Sequence, residues 1–310
     1  QGKARVGDHD PRRAVGELYG KCRDLHNARY FLDKTPRYHY IIPEIARLFP
    51  QATFVVLLRN PLAVLASVAE SWFNGQVQSA LADPYHGRDL LSGPGHLADG
   101  LRLLGNQACV IRYEDLVVAP EAQLRRLCQY LDIDFDEAMC HYDPNFRFKG
   151  AFGDNIGIPR HHQASADSLD KWRQVLLRPE NVSATQAYLA QLSHSTLDQL
   201  GYDQGRLAEE FAAALIDEVK AGNCPADLLP AELRLALADA ACSEAEQAVG
   251  SGDYDAAAIG LEEALRYHPD HARALSDAGA ILWALDDRSG ALVYFGRAVA
   301  ANSGDGNAVA

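Results

Sequence analysis

The chain has 310 residues, 48% hydrophobic and 23% charged, which excludes a disordered polypeptide and leaves room for one α/β domain and a smaller module. No apolar run reaches membrane-spanning length, and no apolar signal core opens the sequence. The net charge of −13 is uneven: residues 1–202 balance at −1 and residues 203–310 at −12, so the second part disfavours nucleic acid and an anionic nucleotide is expected on the first.

In chain order, a helix is predicted over residues 11–26, after Asp10-Pro11, and a short strand over 29–33. A helix follows over 37–48, with Ile41, Ile42, Ile45 and Leu48 on one face. Residues 53–58 are continuously apolar, the pattern of a strand covered on both faces. A helix over 61–73, a Gly-, Pro- and His-rich loop with short helices over 75–95, and a helix over 97–104 lead to a third strand, Ala108–Arg112. Residues 120–131 form a helix with Leu124, Leu127 and Leu131 inward; residues 141–170 read as a long functional loop, and helices resume over 168–178 and 183–200. This alternation predicts a parallel sheet with helices on both faces, hence an α/β fold.

The six cysteines are scattered, with no Cys-x-x-Cys pair, which disfavours zinc and fits buried reduced thiols at Cys109 and Cys128 in a cytoplasmic protein. His161-His162 lack a spaced third ligand, so no metal is expected.

The chemistry concentrates at the strand ends. Lys34 closes the first predicted strand and Arg59 the second, and after Arg59 a helix opens with Asn60 as cap and Pro61 in its first turn. A cation beside the free donors of a helix N-terminus suits an anion. Ser67, eight residues after Arg59, shares a face with Asn60 and offers a hydroxyl to the same anion. An ordinary βα unit with a solvated Arg59 is the plain alternative.

Three segments carry a resemblance: Phe31-Leu-Asp-Lys-Thr-Pro-Arg-Tyr38; Thr53-Phe-Val-Val-Leu-Leu-Arg-Asn-Pro-Leu-Ala-Val-Leu-Ala-Ser67; and Ile111-Arg-Tyr-Glu-Asp-Leu116 with the helix after Pro120. Together they resemble the nucleotide-binding half of sulfotransferases that use 3′-phosphoadenosine-5′-phosphosulfate (PAPS), over residues 28–202. The resemblance implies a sheet of the P-loop nucleotide-kinase type and sulfuryl transfer from PAPS to an acceptor hydroxyl or amine. It places Arg59 and Ser67 on the 3′-phosphate, Tyr113 on the adenine, and Lys34 beside the bridging oxygen as the catalytic cation. Asp170-Lys-Trp-Arg173 resembles a later family segment, making Lys171 and Arg173 candidates near the 3′-phosphate; a solvated helix face with Trp172 in the core is the alternative. Glu114 and Asp115 are expected to be structural, charging the first turn of the next helix. The family's Arg-Ser-Gly-Thr phosphate loop and its general base have no counterpart in the sequence, so the domain is expected to lack its first strand and the chain alone to be inactive.

Residues 238–310 resemble tetratricopeptide repeats. Gly252, Tyr254, Ala257, Leu261, Ala264 and Pro269 recur 34 residues later as Asp286, Arg288, Ala291, Phe295, Ala298 and Ser303, and Ala245 recurs as Gly279. Phe295 and Trp283 are expected to fill gaps between the helices. The expected organisation is a sulfotransferase-like domain over 1–205, a helical linker over 206–237 and repeats over 238–310, with a peptide partner implied by the repeats. A catalytically inactive repeat scaffold with a relic nucleotide-binding domain is the alternative.

Overall fold

The computed structural model describes residues 11–141 and 166–304; His161-His162 and most of the expected functional loop lie outside the described residues. The chain divides into two units, Gln1–Leu176 with Ala184–Ala208, and Leu177–Ser183 with Glu209–Ala310.

In the first unit α1 (Pro11–Leu25) forms where predicted. The strand expected over residues 29–33 does not. No neighbouring strand takes up its backbone groups among the described residues, and side chains hold the segment instead. The Tyr30 hydroxyl donates to the Leu131 carbonyl at 2.7 Å, and the Tyr38 hydroxyl donates to Asp33 at 2.6 Å. The single helix expected over 37–48 is split. Pro36 starts a 3-10 turn, Pro36–Tyr40, and α2 (Ile42–Leu48) follows a break at Ile41.

The sheet has two strands among the described residues, β1 (Phe54–Leu58) and β2 (Ala108–Arg112), paired in parallel from Phe54↔Ala108 to Leu58↔Arg112. The expectation of three strands, with both faces of the second covered, is therefore corrected. Val56 and Leu58 are buried, but Val55 and Leu57 are 44% and 57% exposed, because nothing described packs on that face. The architecture is helix-rich α/β with a small parallel sheet.

Between the strands run α3 (Pro61–Phe73), α4 (Val77–Ala82) and α5 (His86–Leu104). α3 buries Leu62, Leu65, Ala66 and Ala69, a helical stripe against the core. The loop expected over 75–95 is largely helical, and α5 runs through Pro94. Two of its glycines serve close approach: a Cβ at Gly87 would run into the Leu81 carbonyl, and one at Gly100 into Ile42. That packing outweighs the hydrogen bond Pro94 forfeits. After β2 come α6 (Tyr113–Val118) and α7 (Pro120–Leu131), the latter half-burying Leu124, Leu127 and Leu131 around the buried Cys128. Of the helix expected over 168–178 only one turn forms, α8 (Arg173–Leu176), and the stretch 183–200 is covered by α9 (Pro179–Gln191) and α10 (His194–Gln199).

The second unit is helical. α11 (Gln204–Lys220) precedes α12 (Ala231–Ser251), α13 (Tyr254–Tyr267), α14 (Ala272–Ala284) and α15 (Arg288–Gly304). α12 packs on α13 and α14 on α15, as two hairpins. The same device joins each pair. Gly252 and Asp286 are both left-handed (φ 82° and 66°), and the next residue caps the following helix. Asp253 accepts from the Ala256 amide at 3.0 Å and Asp287 from the Gly290 amide at 3.0 Å, a repetition at 34 residues. Ala257, Leu261, Ala264, Leu275 and Gly279 are buried. A side chain at Gly279 would meet the Phe295 ring at 2.7 Å, so Phe295 fills its gap as expected. Trp283 does not: it is 49% exposed, with the Arg288 guanidinium 5.1 Å from its ring centroid.

Candidate active site

Parallel pairing sets the geometry of the site. Leu58 is level with Arg112, so the residues that leave the two strands, Arg59 and Tyr113, emerge side by side. The Arg59 guanidinium lies 4.4 Å from the Tyr113 ring centroid. Its Nε is buried without a hydrogen-bond partner, and no ion pair engages it among the described residues. An anion is the ligand that a half-buried guanidinium with a free donor suits.

The start of α3 is held on both sides. Asn60 Oδ1 accepts from the Leu62 amide at 2.8 Å, and the Asn60 amide donates to Glu114 Oε1 at 2.7 Å. Glu114 Oε2 accepts from the Tyr202 hydroxyl at 3.1 Å. Burial, and then the Glu114 charge, push the Tyr202 phenol up, so it stays a donor. Arg112 lies 4.1 Å from the Tyr202 ring centroid and donates to the Gly201 carbonyl at 2.5 Å.

Ser67 is exposed on unbroken α3, two turns beyond Asn60. The Tyr113 hydroxyl and Ser168 Oγ are 2.8 Å apart, and α8 packs on α3, which brings the segment of Lys171 and Arg173 to the same end of the sheet. Both cations are exposed; Arg173 lies 3.5 Å from Asp170 and 5.5 Å from the ring centroid of Trp172, itself buried. Lys34 is exposed and ends an extended segment rather than a strand. Next to it, Thr35 lines a cavity of about 710 Å³ that Arg59 also lines, with Leu57, Val64, Leu90 and Trp72. The structure thus brings Arg59, Tyr113 and the 168–173 segment together, while Lys34 is not among the residues that line the cavity.

Sequence reasoning missed the cluster that fixes the turn after Lys34. Asp89 on α5 accepts from Arg37 at 2.8 Å and from the Tyr40 hydroxyl at 2.7 Å. Burial pushes the Asp89 carboxyl up, but these hydrogen bonds and the Arg37 charge outweigh it and hold it below its ordinary value. His39 Nδ1 is 3.1 Å from the Pro36 carbonyl, while its Nε2 is buried without a hydrogen-bond partner, 3.8 Å from Asp89 Oδ1, and desolvation lowers its pKa. Pro36 was the available signal, since it starts the turn that aligns Arg37 and Tyr40 with α5.

A second constellation is inert. On α12 and α14, Cys242 Sγ lies 3.6 Å from His271 Nδ1 and His271 Nε2 lies 3.1 Å from Asp239. The Ala274 amide donates to Nδ1, so the ring proton is on Nε2 and points to Asp239. Burial pushes the Cys242 thiol up to about 11, which keeps it protonated and unreactive. No group of three or more His, Cys, Asp and Glu fit to hold a metal occurs among the described residues.

The model of the sulfotransferase family matches residues 4–137, which include β1, β2, Arg59 and Tyr113. Over those residues the chain is similar to the sulfotransferase family. The sulfotransferase match begins upstream of the stretch that carried the resemblance and ends before its later part. Three relatives agree on the family at modest identity. Nodulation protein NoeE of Sinorhizobium fredii is 30% identical over 220 residues, covering 62% of this chain and 49% of that protein. Protein-tyrosine sulfotransferase A of Caenorhabditis elegans is 26% identical over 172 residues, covering 51% and 41%. Omega-hydroxy-beta-dihydromenaquinone-9 sulfotransferase Stf3 of Mycobacterium bovis is 29% identical over 189 residues, covering 55% and 41%. The chain therefore spans less than half the length of these relatives. No helix among the described residues is long and apolar enough to cross a membrane.

Proposed function

We propose that the first unit binds PAPS and serves sulfuryl transfer from it to an acceptor hydroxyl or amine. Arg59 carries the reading: a half-buried cation just beyond the end of β1, its Nε without a hydrogen-bond partner among the described residues, against Tyr113 and beside a capped helix start. In this reading Arg59 and Ser67 take the 3′-phosphate and the Tyr113 ring borders the adenine. Lys171 and Arg173 add positive charge near the 3′-phosphate. Lys34 faces the bridging oxygen and stabilises charge on the departing phosphate. Two of the relatives are named for acting on a protein tyrosine and on an omega-hydroxy quinone, which favours a hydroxyl acceptor. Titration calorimetry with adenosine 3′,5′-bisphosphate tests the reading. Clear preference for it over adenosine 5′-phosphate is expected, and equal affinity would defeat the proposal, leaving the repeat scaffold with a relic domain.

A second reading concerns residues 238–310, behind a linker over 206–237. Their cap geometry, repeated at 34 residues, favours a pair of tetratricopeptide-like repeats that recruit a peptide. The balance of −12 over residues 203–310 makes a basic peptide the expected partner. Binding of a lysine-rich peptide that weakens steeply with salt is the expected result; no binding at low salt would end this reading.

A further inference from the structure

We propose that Glu114 is a positioning residue: by clamping the Asn60 amide and the Tyr202 hydroxyl with its two carboxylate oxygens, it holds Arg59 where a 3′-phosphate is read. The inference rests on the nucleotide reading above and names a residue outside the ligand contacts. Two strand ends stay level only while something ties them together, and the β-ladder stops at Leu58↔Arg112. The next pair, Arg59 and Tyr113, is joined by a cation–ring contact alone. One residue further, Glu114 supplies the missing cross-tie. Oε1 takes the Asn60 amide at 2.7 Å, a charge-assisted bond to the residue that caps α3. Oε2 takes the Tyr202 hydroxyl at 3.1 Å, and Tyr202 is itself pinned under Arg112. The carboxylate thus fastens the start of α3 to the 201–202 turn within the first unit, and Arg59, immediately before Asn60, is carried with it. An acid merely charging the first turn of its own helix would need neither contact.

Three variants separate the roles. Glu114→Ala releases both donors, and its affinity for adenosine 3′,5′-bisphosphate is expected to fall tenfold or more while its affinity for adenosine 5′-phosphate holds, collapsing the selectivity. Glu114→Gln keeps an acceptor for the Asn60 amide and should restore most of the selectivity. Tyr202→Phe removes one bond without touching Asn60 and should give a loss of a few fold; it keeps the question answerable if the alanine variant fails to fold. Hydrogen exchange of the Asn60 amide, expected to accelerate more than tenfold in Glu114→Ala, reads the clamp without nucleotide. Loss of affinity equal for both nucleotides, or unchanged exchange, overturns the positioning role. Fast exchange in Glu114→Ala with a wild-type protein indifferent to the 3′-phosphate would instead show the clamp to be real and the nucleotide reading wrong.

Discussion

Two arginines near the two strand ends have the same surroundings and opposite states. Arg59, just beyond β1, lies against Tyr113 at 4.4 Å; Arg112, the last residue of β2, lies against Tyr202 at 4.1 Å. Arg112 is engaged, donating to the Gly201 carbonyl. Arg59 keeps a buried Nε with no partner. Other buried side-chain nitrogens, His39 Nε2 and Arg234 Nε among them, also lack a hydrogen-bond partner among the described residues; what sets Arg59 apart is its place at a strand end beside a capped helix start. On the proposed function, Arg112 belongs to structure and Arg59 to the ligand.

The largest expected effect follows directly. Arg59→Ala should cost about 1.5–3 kcal/mol of binding to adenosine 3′,5′-bisphosphate, with the melting temperature nearly unchanged. If calorimetry shows full affinity and the melt drops instead, the two arginines have exchanged roles. Next, Gly201→Ala should destabilise the fold by roughly 1–3 kcal/mol. Gly201 has φ 76°, and an added Cβ would stand 2.6 Å from Arg112 Nη1. Urea unfolding measures it, and nucleotide affinity should fall by no more than the few fold expected of Tyr202→Phe. Arg112→Ala loses one hydrogen bond and one ring contact, about 1–2 kcal/mol of stability, with a loss of binding no larger than that of Tyr202→Phe. The smallest effect tests the turn after Lys34. Asp89→Asn should cost about 1 kcal/mol at neutral pH, since Arg37 and Tyr40 lose an anionic acceptor. The Asp89 carboxyl is held below its ordinary value, so its stabilisation is present above about pH 4 and lost as pH falls through the folded pKa. The gap between variant and wild type should therefore close in acid; a gap constant with pH would show that charge plays no part.

The legible parts of the sequence were those written locally. α3 and α7 have the predicted bounds because Pro opens each and the apolar spacing is helical, and β2 matches because its apolar run lies between turns. Arg59 was visible as a cation before a capped helix. What depended on packing was not visible. The 29–33 segment has strand composition but no partner to pair with, and composition does not reveal partners. Gly93, Pro94 and Gly95 read as a loop, yet they lie inside α5. Glu114 was expected to be structural; its reach across to Asn60 and Tyr202 needed the strand register, which sequence spacing alone does not supply.

The most direct test of the account is the ratio of affinities for adenosine 3′,5′-bisphosphate and adenosine 5′-phosphate, measured by calorimetry in the wild type, Arg59→Ala and Arg112→Ala. The account predicts a ratio of about ten or more in the wild type, at most a few fold lower in Arg112→Ala, and near one in Arg59→Ala, as loss of a charge-assisted contact requires. A ratio that survives Arg59→Ala would contradict it.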